Sequence, residues 1–297
     1  MYVVLGASGN TGKVVAQTLL ERGHKVRAVS RDAAHLQFLT AKGAEAFPSD
    51  LTNREALTRA FAGSDAAYVL IPPALASNDY RALQDRISDA ITSALKSAHV
   101  KHVVSLSSIG ADKAEGTGPV VGLHNLEQKL NQIEGLNVLH LRPGYFMENT
   151  LPQAAAIRAL GTTAGPLRPD LKMPMIATDD IGHVAAEELL RLDFQGTRTR
   201  ELLGASDLSY EDVAHVIGKA INKPDLTYVR ASDDQVRASF IQMGMTLNFA
   251  NLILEMTAAL NSGHMKAIEP RSARNTTPTT YEAFAVQEFV PLYQQAA

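Results

Sequence analysis

Polar and apolar positions in the first half of the chain fall into two alternating patterns. Short, mostly apolar runs recur at "YVVLGA" (2–7), "HKVRAVSR" (24–31), "AEAFPSD" (44–50), "AAYVLIPP" (66–73), "KHVVSLSS" (101–108) and "LNVLHLRPG" (136–144). Such runs predict strands buried on both faces, as in a parallel sheet covered by helices. Between them the apolar residues take helical spacing. "TGKVVAQTLLERG" closes on Gly23 as a C-cap, "NREALTRAFAG" opens on Asn53 as an N-cap and closes at Gly63, and "DRISDAITSALKSAH" continues the series. Repeated β-α units to about residue 150 predict an α/β fold, a Rossmann-type doubly wound parallel sheet in strand order 3-2-1-4-5-6.

Past residue 150 the rhythm loosens. "LKMPMIATDDIGHVAAEELLRL" predicts a short strand, an acidic turn at Asp179 and Asp180, and a helix. "LSYEDVAHVIGKAINKPDLTYVRAS" predicts a helix and then a strand, and helices dominate to residue 260. We therefore expect a Rossmann domain over 1–150 and a smaller mixed α/β C-terminal lobe over 151–297, with 173–204 packing back on the sheet domain.

Composition narrows the class of function. With 28 basic and 31 acidic residues the formal charge is −3, and no segment is strongly basic, so direct nucleic-acid binding is disfavoured. The absence of cysteine excludes disulfides, thiolate nucleophiles and Cys-ligated metal centres, and it fits a reducing compartment. No apolar stretch reaches the roughly 18 residues of a membrane span. The start "MYVVLGASG" has no basic region ahead of its apolar run. The expectation is a cytoplasmic protein with no membrane partner. Neither G-x-S-x-G nor H-E-x-x-H occurs, and His183 with Glu187 is a helical pair lacking a third ligand, so no metal site is expected.

"GASGNTG" carries the first chemistry. Gly6, Gly9 and Gly12, with Ser8, Asn10 and Thr11 between them, follow the first strand and open the first helix. Glycines there permit a tight turn and close backbone approach, so a pyrophosphate can sit on free N–H groups at the positive end of the helix. Where an NAD-selective site carries an acidic residue, at the end of the second strand, this chain has Ser30 and Arg31. An arginine there suits a 2′-phosphate, and NADP(H) is expected over NAD(H). Asp32 reads more simply as a helix cap. Asp50, in "SDLTN" beside Leu51, either meets the adenine amino group or is an ordinary turn aspartate.

Taken together, "GASGNTG", "SDLTNREAL", "LRPGYFMEN", "IATDDIGHVAAEEL" and "LSYEDVAHVIGKA" resemble the NmrA-like group of atypical short-chain dehydrogenases/reductases, in particular its NAD(P)H-dependent quinone oxidoreductase-like branch. The resemblance spans nearly the whole chain. It implies either a reductase or a nucleotide-sensing regulator, and both stay open. Related dehydrogenases keep a Tyr-x-x-x-Lys pair on the helix before the sixth strand, and none is present in "VVGLHNLEQKLNQIEGLNVLHLRPGYFMEN" (120–149). Counted back from Gly135, the lysine position falls on His124 and the tyrosine position on Val120. Asn125 and Lys129 show the same spacing, but Lys129 lies on another face from His124 at about 100° per residue, and is expected as a solvated residue near Glu127 and Glu134.

By the same resemblance, Gly144, Tyr145 and Phe146 approach the nicotinamide, while Ile71, Pro72, Pro73 and Ser107 flank its ribose. The two aromatic rings either wall a flat acceptor or pack under the C-terminal lobe. Tyr145 is also a candidate proton donor alongside His124. "GTTAGPLRPDLKMPM" (161–175) is a candidate lid. Reducing a simple ketone makes a strongly basic alkoxide, which needs a positioned donor. A quinone instead yields a delocalised oxyanion that water or a histidine can protonate. The expected activity is NADPH-dependent reduction of a quinone or similarly activated small acceptor. A redox sensor without turnover is the alternative, and an epimerase of nucleotide sugars is hard to sustain without the tyrosine. The reading is compatible with a homodimer.

Overall fold

Each apolar run of the first half becomes a strand and each helical run a covering helix. The computed structural model describes residues 1–295, so residues 296 and 297 of the expected lobe lie outside the described residues. Its order begins β1 (Tyr2–Leu5), α1 (Asn10–Glu21), β2 (Val26–Ser30), α2 (Gln37–Thr40), β3 (Glu45–Pro48), α3 (Arg54–Phe61), β4 (Ala66–Val69), α4 (Tyr80–Ser97), β5 (His102–Leu106), α5 (Val120–Asn131) and β6 (Asn137–Pro143). There follow β7 (Tyr145–Phe146), α6 (Gln153–Leu160), β8 (Thr163–Gly165), β9 (Met173–Ile176), α7 (Thr178–Arg191), β10 (Thr197–Leu202), β11 (Ser206–Leu208), α8 (Tyr210–Ala220), β12 (Tyr228–Arg230), α9 (Asp233–Gln242), α10 (Leu247–Ser262), α11 (Tyr281–Phe284) and α12 (Val290–Gln294).

The central sheet has seven strands in the order β3-β2-β1-β4-β5-β6-β10. All its pairings are parallel. The expected order is therefore present, with β10 added beyond β6. Side chains of a strand alternate between faces, and the core divides accordingly. Tyr2 and Val4 pack with α1 and α7 through Val15, Leu19, Ile181 and Leu189. Val3 and Leu5 pack on the other face with α3, α4 and α5 through Phe61, Ile91, Leu126 and Leu130. A third cluster belongs to the C-terminal elements and includes Ile157, Met173, Ile217, Tyr281 and Phe289. There β9 lies between β7 and β11, and β8 pairs with β12.

Caps fix the helix starts. Asn53 accepts from the Ala56 N–H at 3.0 Å, as its sequence position predicts. The expected start of α4 at Asp85 is too late. The helix begins at Tyr80 because Asp79 caps it, accepting from the Ala82 N–H at 3.0 Å. Near the C-terminus, Asp180 on α7 accepts from the Thr279 hydroxyl at 2.7 Å and its N–H at 3.1 Å, tying the last segment to the sheet layer.

One buried group on β6 sets a pH dependence. His140 is 1% exposed, and its Nε2 meets Asn131 Oδ1 at 2.8 Å. Burial pushes its pKa from 6.5 down to about 4, with Glu127 opposing and Arg142 reinforcing the shift. The unfolded chain then binds the extra proton across that window, so stability falls as pH drops from about 6.5 to about 4. The loss approaches roughly 3 kcal/mol. Denaturant unfolding from pH 7 downward should show a steeper decline in the natural protein than in His140→Asn. Equal slopes would mean that the folded histidine is not held neutral.

Candidate active site

The turn after β1 is built for an anion. Gly6 takes φ +62°, a left-handed conformation that favours glycine, and the Gly9 N–H donates to the Gly6 carbonyl at 2.9 Å. A Cβ on Gly12 would stand 2.2 Å from the Gly6 oxygen, so only glycine lets α1 start this close to β1. The cap residue of α1 is Gly9, which has no side chain to satisfy the first-turn N–H groups, and no acidic residue sits in that turn. Uncapped donors at a positive helix end, against a backbone cradle that any Cβ would fill, fit a dinucleotide pyrophosphate.

The residues named from this motif divide by role. Ser8 and Asn10 are exposed, with Ser8 Oγ 2.9 Å from Ser30 Oγ at the end of β2. Thr11 points inward, where its Oγ1 accepts from the buried Tyr68 hydroxyl at 2.9 Å, so only its backbone faces the turn. Arg31 is exposed and makes no ion pair among the described residues. Asp32 caps the following turn through the Ala34 N–H at 2.8 Å. Asp50 accepts from the Thr52 hydroxyl at 2.6 Å and N–H at 2.8 Å. These bonds hold its carboxyl below the usual range, with a smaller contribution from Arg31. It is a turn-forming aspartate that keeps lone pairs for a ligand. Leu51 and Ile71 are buried in the sheet core, which leaves their backbones for any contact. The Pro72 carbonyl accepts from the Tyr80 hydroxyl at 3.1 Å, and Pro73 is exposed.

On α5, Val120 is 4% exposed and packs in the C-terminal cluster. His124 is half-buried, and its Nδ1 lies 2.8 Å from the Ala111 carbonyl. With Nδ1–H donating, Nε2 is the nitrogen left for other partners. Lys129 does not neighbour Glu127 and Glu134 as expected. It reaches across to α4, 2.7 Å from Asp89 and 3.9 Å from Asp85. Glu127 is instead buried, bound by Arg142 and by Ser107, whose hydroxyl donates to it at 2.5 Å. Sequence reasoning missed this pair. Part of its signal was present, because Glu127 shares the buried face of α5 with Leu126 and Leu130.

After β6, Gly144 is pressed against the Pro174 carbonyl, which a Cβ would approach to 2.5 Å. Tyr145 and Phe146 form β7 beside β9 and therefore point to opposite sides. Phe146 packs on the sheet core and Tyr145 on the C-terminal cluster, so the two rings do not form one wall. The Tyr145 hydroxyl lies 3.0 Å from that of Tyr210. Burial pushes its phenol up, and pushes Tyr210 further, so both stay protonated at neutral pH. The segment 161–175 is no loose lid. β8 is paired to β12, the Leu167 carbonyl accepts from the Tyr228 hydroxyl at 3.1 Å, and the Arg168 N–H donates to Asn261 Oδ1 at 2.8 Å. Gly161 is the left-handed cap that ends α6, while Gly165 and Pro174 lie in β8 and β9. His183 and Glu187 face α1, the first 3.4 Å from Thr18 Oγ1 and the second paired with Arg22 at 3.0 Å. Among the described residues no group of His, Cys, Asp and Glu is placed to hold a metal ion, and no helix is long and apolar enough to cross a membrane.

A glycine cradle leading into an uncapped helix, at the carboxyl edge of a doubly wound parallel sheet, defines a Rossmann-type dinucleotide-binding protein. The model of the NmrA-like family matches residues 2–290, and the chain belongs to that family. It is 30% identical over 260 residues to an NAD(P)H azoreductase of Xenophilus azovorans, covering 87% of this chain and 86% of the relative. An NADPH-dependent quinone oxidoreductase from Escherichia coli, solved with NADPH, superposes with a TM-score of 0.81 at 22% identity, covering 96% of this chain and 98% of the other. NmrA, a negative transcriptional regulator solved with NADP, gives 0.74 at 17% identity, over 98% and 95% of the two chains. At those identities the two structures establish the shared fold.

Proposed function

We propose that this protein takes NADP(H) in preference to NAD(H) and reduces a quinone or similarly activated small acceptor. It is an NAD(P)H-dependent oxidoreductase of the NmrA-like family. What supports the choice of acceptor is Val120, a buried hydrocarbon at the position that the resemblance gives to a carbonyl reductase's proton donor, on a scaffold whose nucleotide cradle is intact. The cofactor, when bound, supplies the hydride. The protein then has to orient the acceptor and meet the developing negative charge. Quinones spread that charge over the ring, and azo compounds, suggested by the Xenophilus relative, place it on nitrogen. Both tolerate a weaker donor than an alkoxide does. The candidate donors are the Tyr145 hydroxyl, which can accept from Tyr210 while donating outward, and His124 Nε2.

The test is NADPH oxidation with quinones, azo compounds and a simple ketone. Saturable turnover is expected with the first two classes and not with the ketone. Tyr145→Phe or His124→Ala should lower it by roughly tenfold or more, and whichever does so is the donor. Unchanged turnover in both variants would leave protonation to water. A ketone reduced as fast as a quinone would overturn the reading of Val120.

Cofactor preference rests on Arg31, an exposed guanidinium at the strand end whose nearby carboxylate, Asp50, acts on it only through longer-range charge attraction. Arg31→Ala should weaken NADPH by roughly tenfold and leave NADH nearly unchanged, the size of one charge-assisted contact. Equal weakening of both cofactors, read by fluorescence titration, would deny it the 2′-phosphate.

A further inference from the structure

The fold buries a charge pair at the carboxyl ends of β5 and β6 that packing does not require. The Glu127 side chain is 3% exposed and that of Arg142 11%. Arg142 donates from Nε to Oε1 at 2.9 Å and from Nη2 to Oε2 at 2.5 Å. Apolar side chains of similar volume commonly replace such a pair without loss of stability. Its position is the informative part. Ser107, just past the end of β5, gives its hydroxyl proton to Glu127 Oε1 at 2.5 Å and its N–H to the Leu141 carbonyl at 2.8 Å.

Both donors of Ser107 are thus committed. A free serine hydroxyl rotates to offer either a proton or a lone pair. Here the carboxylate fixes the proton, and Arg142 fixes the carboxylate by binding both its oxygens. What remains of Ser107 Oγ is acceptor capacity, on a residue 3% exposed just past the carboxyl end of β5, the edge of the sheet where such folds bind their ligands. Resting on the cofactor reading above, we infer that Glu127 and Arg142 are positioning residues that lock the Ser107 hydroxyl as a hydrogen-bond acceptor for the nicotinamide riboside half of NADP(H). The donor it receives is a ribose hydroxyl or the carboxamide N–H. Glu127→Gln should reverse this polarity. Arg142 claims the amide oxygen, the NH2 turns on Ser107, and the serine proton is pushed outward against the ligand's donor.

The test compares two ligands by fluorescence or calorimetric titration. One is NADPH; the other is adenosine 2′,5′-bisphosphate, which keeps the adenosine half and lacks the nicotinamide riboside. Ser107→Ala and Glu127→Gln should each raise the NADPH Kd by roughly three- to tenfold and leave the bisphosphate unchanged. In the Ser107→Ala background, Glu127→Gln should add no further loss. Glu127→Asp, which keeps the charge for Arg142 but withdraws it from Ser107, gives the same pattern if the amide variant does not fold. Equal weakening of both ligands would make the pair merely structural and overturn the inference, as would an unchanged NADPH Kd or losses that multiply. Natural protein that binds neither ligand would instead remove the cofactor reading itself.

Discussion

Gly12→Ala should abolish NADPH binding, raising its Kd by about a hundredfold or beyond detection. The added Cβ would lie 2.2 Å from the Gly6 oxygen, 2.7 Å from the Gly6 carbonyl carbon and 3.1 Å from the Ala7 Cα, all backbone atoms that no rotamer can move. The turn cannot yield locally either. Gly6 is already left-handed, and its carbonyl is held by the Gly9 N–H. Nor can α1 simply retreat, because Gly182 of α7 packs so closely that a Cβ there would approach the Val14 Cβ to 2.5 Å. The helix end that should receive the pyrophosphate must therefore shift. Overpacking of this kind costs roughly 1–3 kcal/mol of stability. A thermal melt beside the titration separates lost binding from lost folding. A folded Gly12→Ala variant with natural affinity for NADPH would show that the glycine turn is not the cofactor site.

Arg142→Met should be the most destabilising single change near the site. It leaves the Glu127 carboxylate 3% exposed, with Ser107 as its remaining partner. Breaking a buried pair on one side costs about 3–5 kcal/mol, a large share of the roughly 5–15 kcal/mol that holds a domain together. The melting temperature should fall by on the order of 10 °C. Replacing both partners, as Arg142→Met with Glu127→Leu, should restore most of that loss, since the isolated charge is then gone. A double variant no more stable than Arg142→Met would mean that the pair itself, and not the orphaned charge, supplies the stability.

The order of the first six strands was legible because short β-branched runs alternate with helical spacing, even though β3 at the sheet edge is exposed at Glu45 and Pro48. The glycine turn was legible for the same local reason, since its spacing is dictated by one strand, one turn and one helix. β10 was not, because "TRTREL" at an edge of the sheet is polar over most of its length and carries no apolar run. Its pairing with β6 is a long-range choice. The opposed directions of Tyr145 and Phe146 follow from a two-residue strand beside β9, which no local pattern reveals. The Gly and Pro content of 161–175 suggested a lid, yet whether such a segment moves depends on partners far along the chain, here Thr227, Tyr228 and Asn261. Lys129 was expected beside Glu127 and Glu134, yet it reaches Asp89 on α4, and the helical phase of Glu127 places that carboxylate inside.

Hydride transfer from NADPH to an activated acceptor can be watched in single-turnover oxidation of NADPH carrying deuterium at its reactive carbon. With a quinone or azo acceptor in excess, oxidation should saturate with acceptor, slow on deuteration and vanish in Gly12→Ala. Tight NADPH binding with no oxidation by any acceptor would contradict it and identify the chain as a nucleotide-sensing regulator.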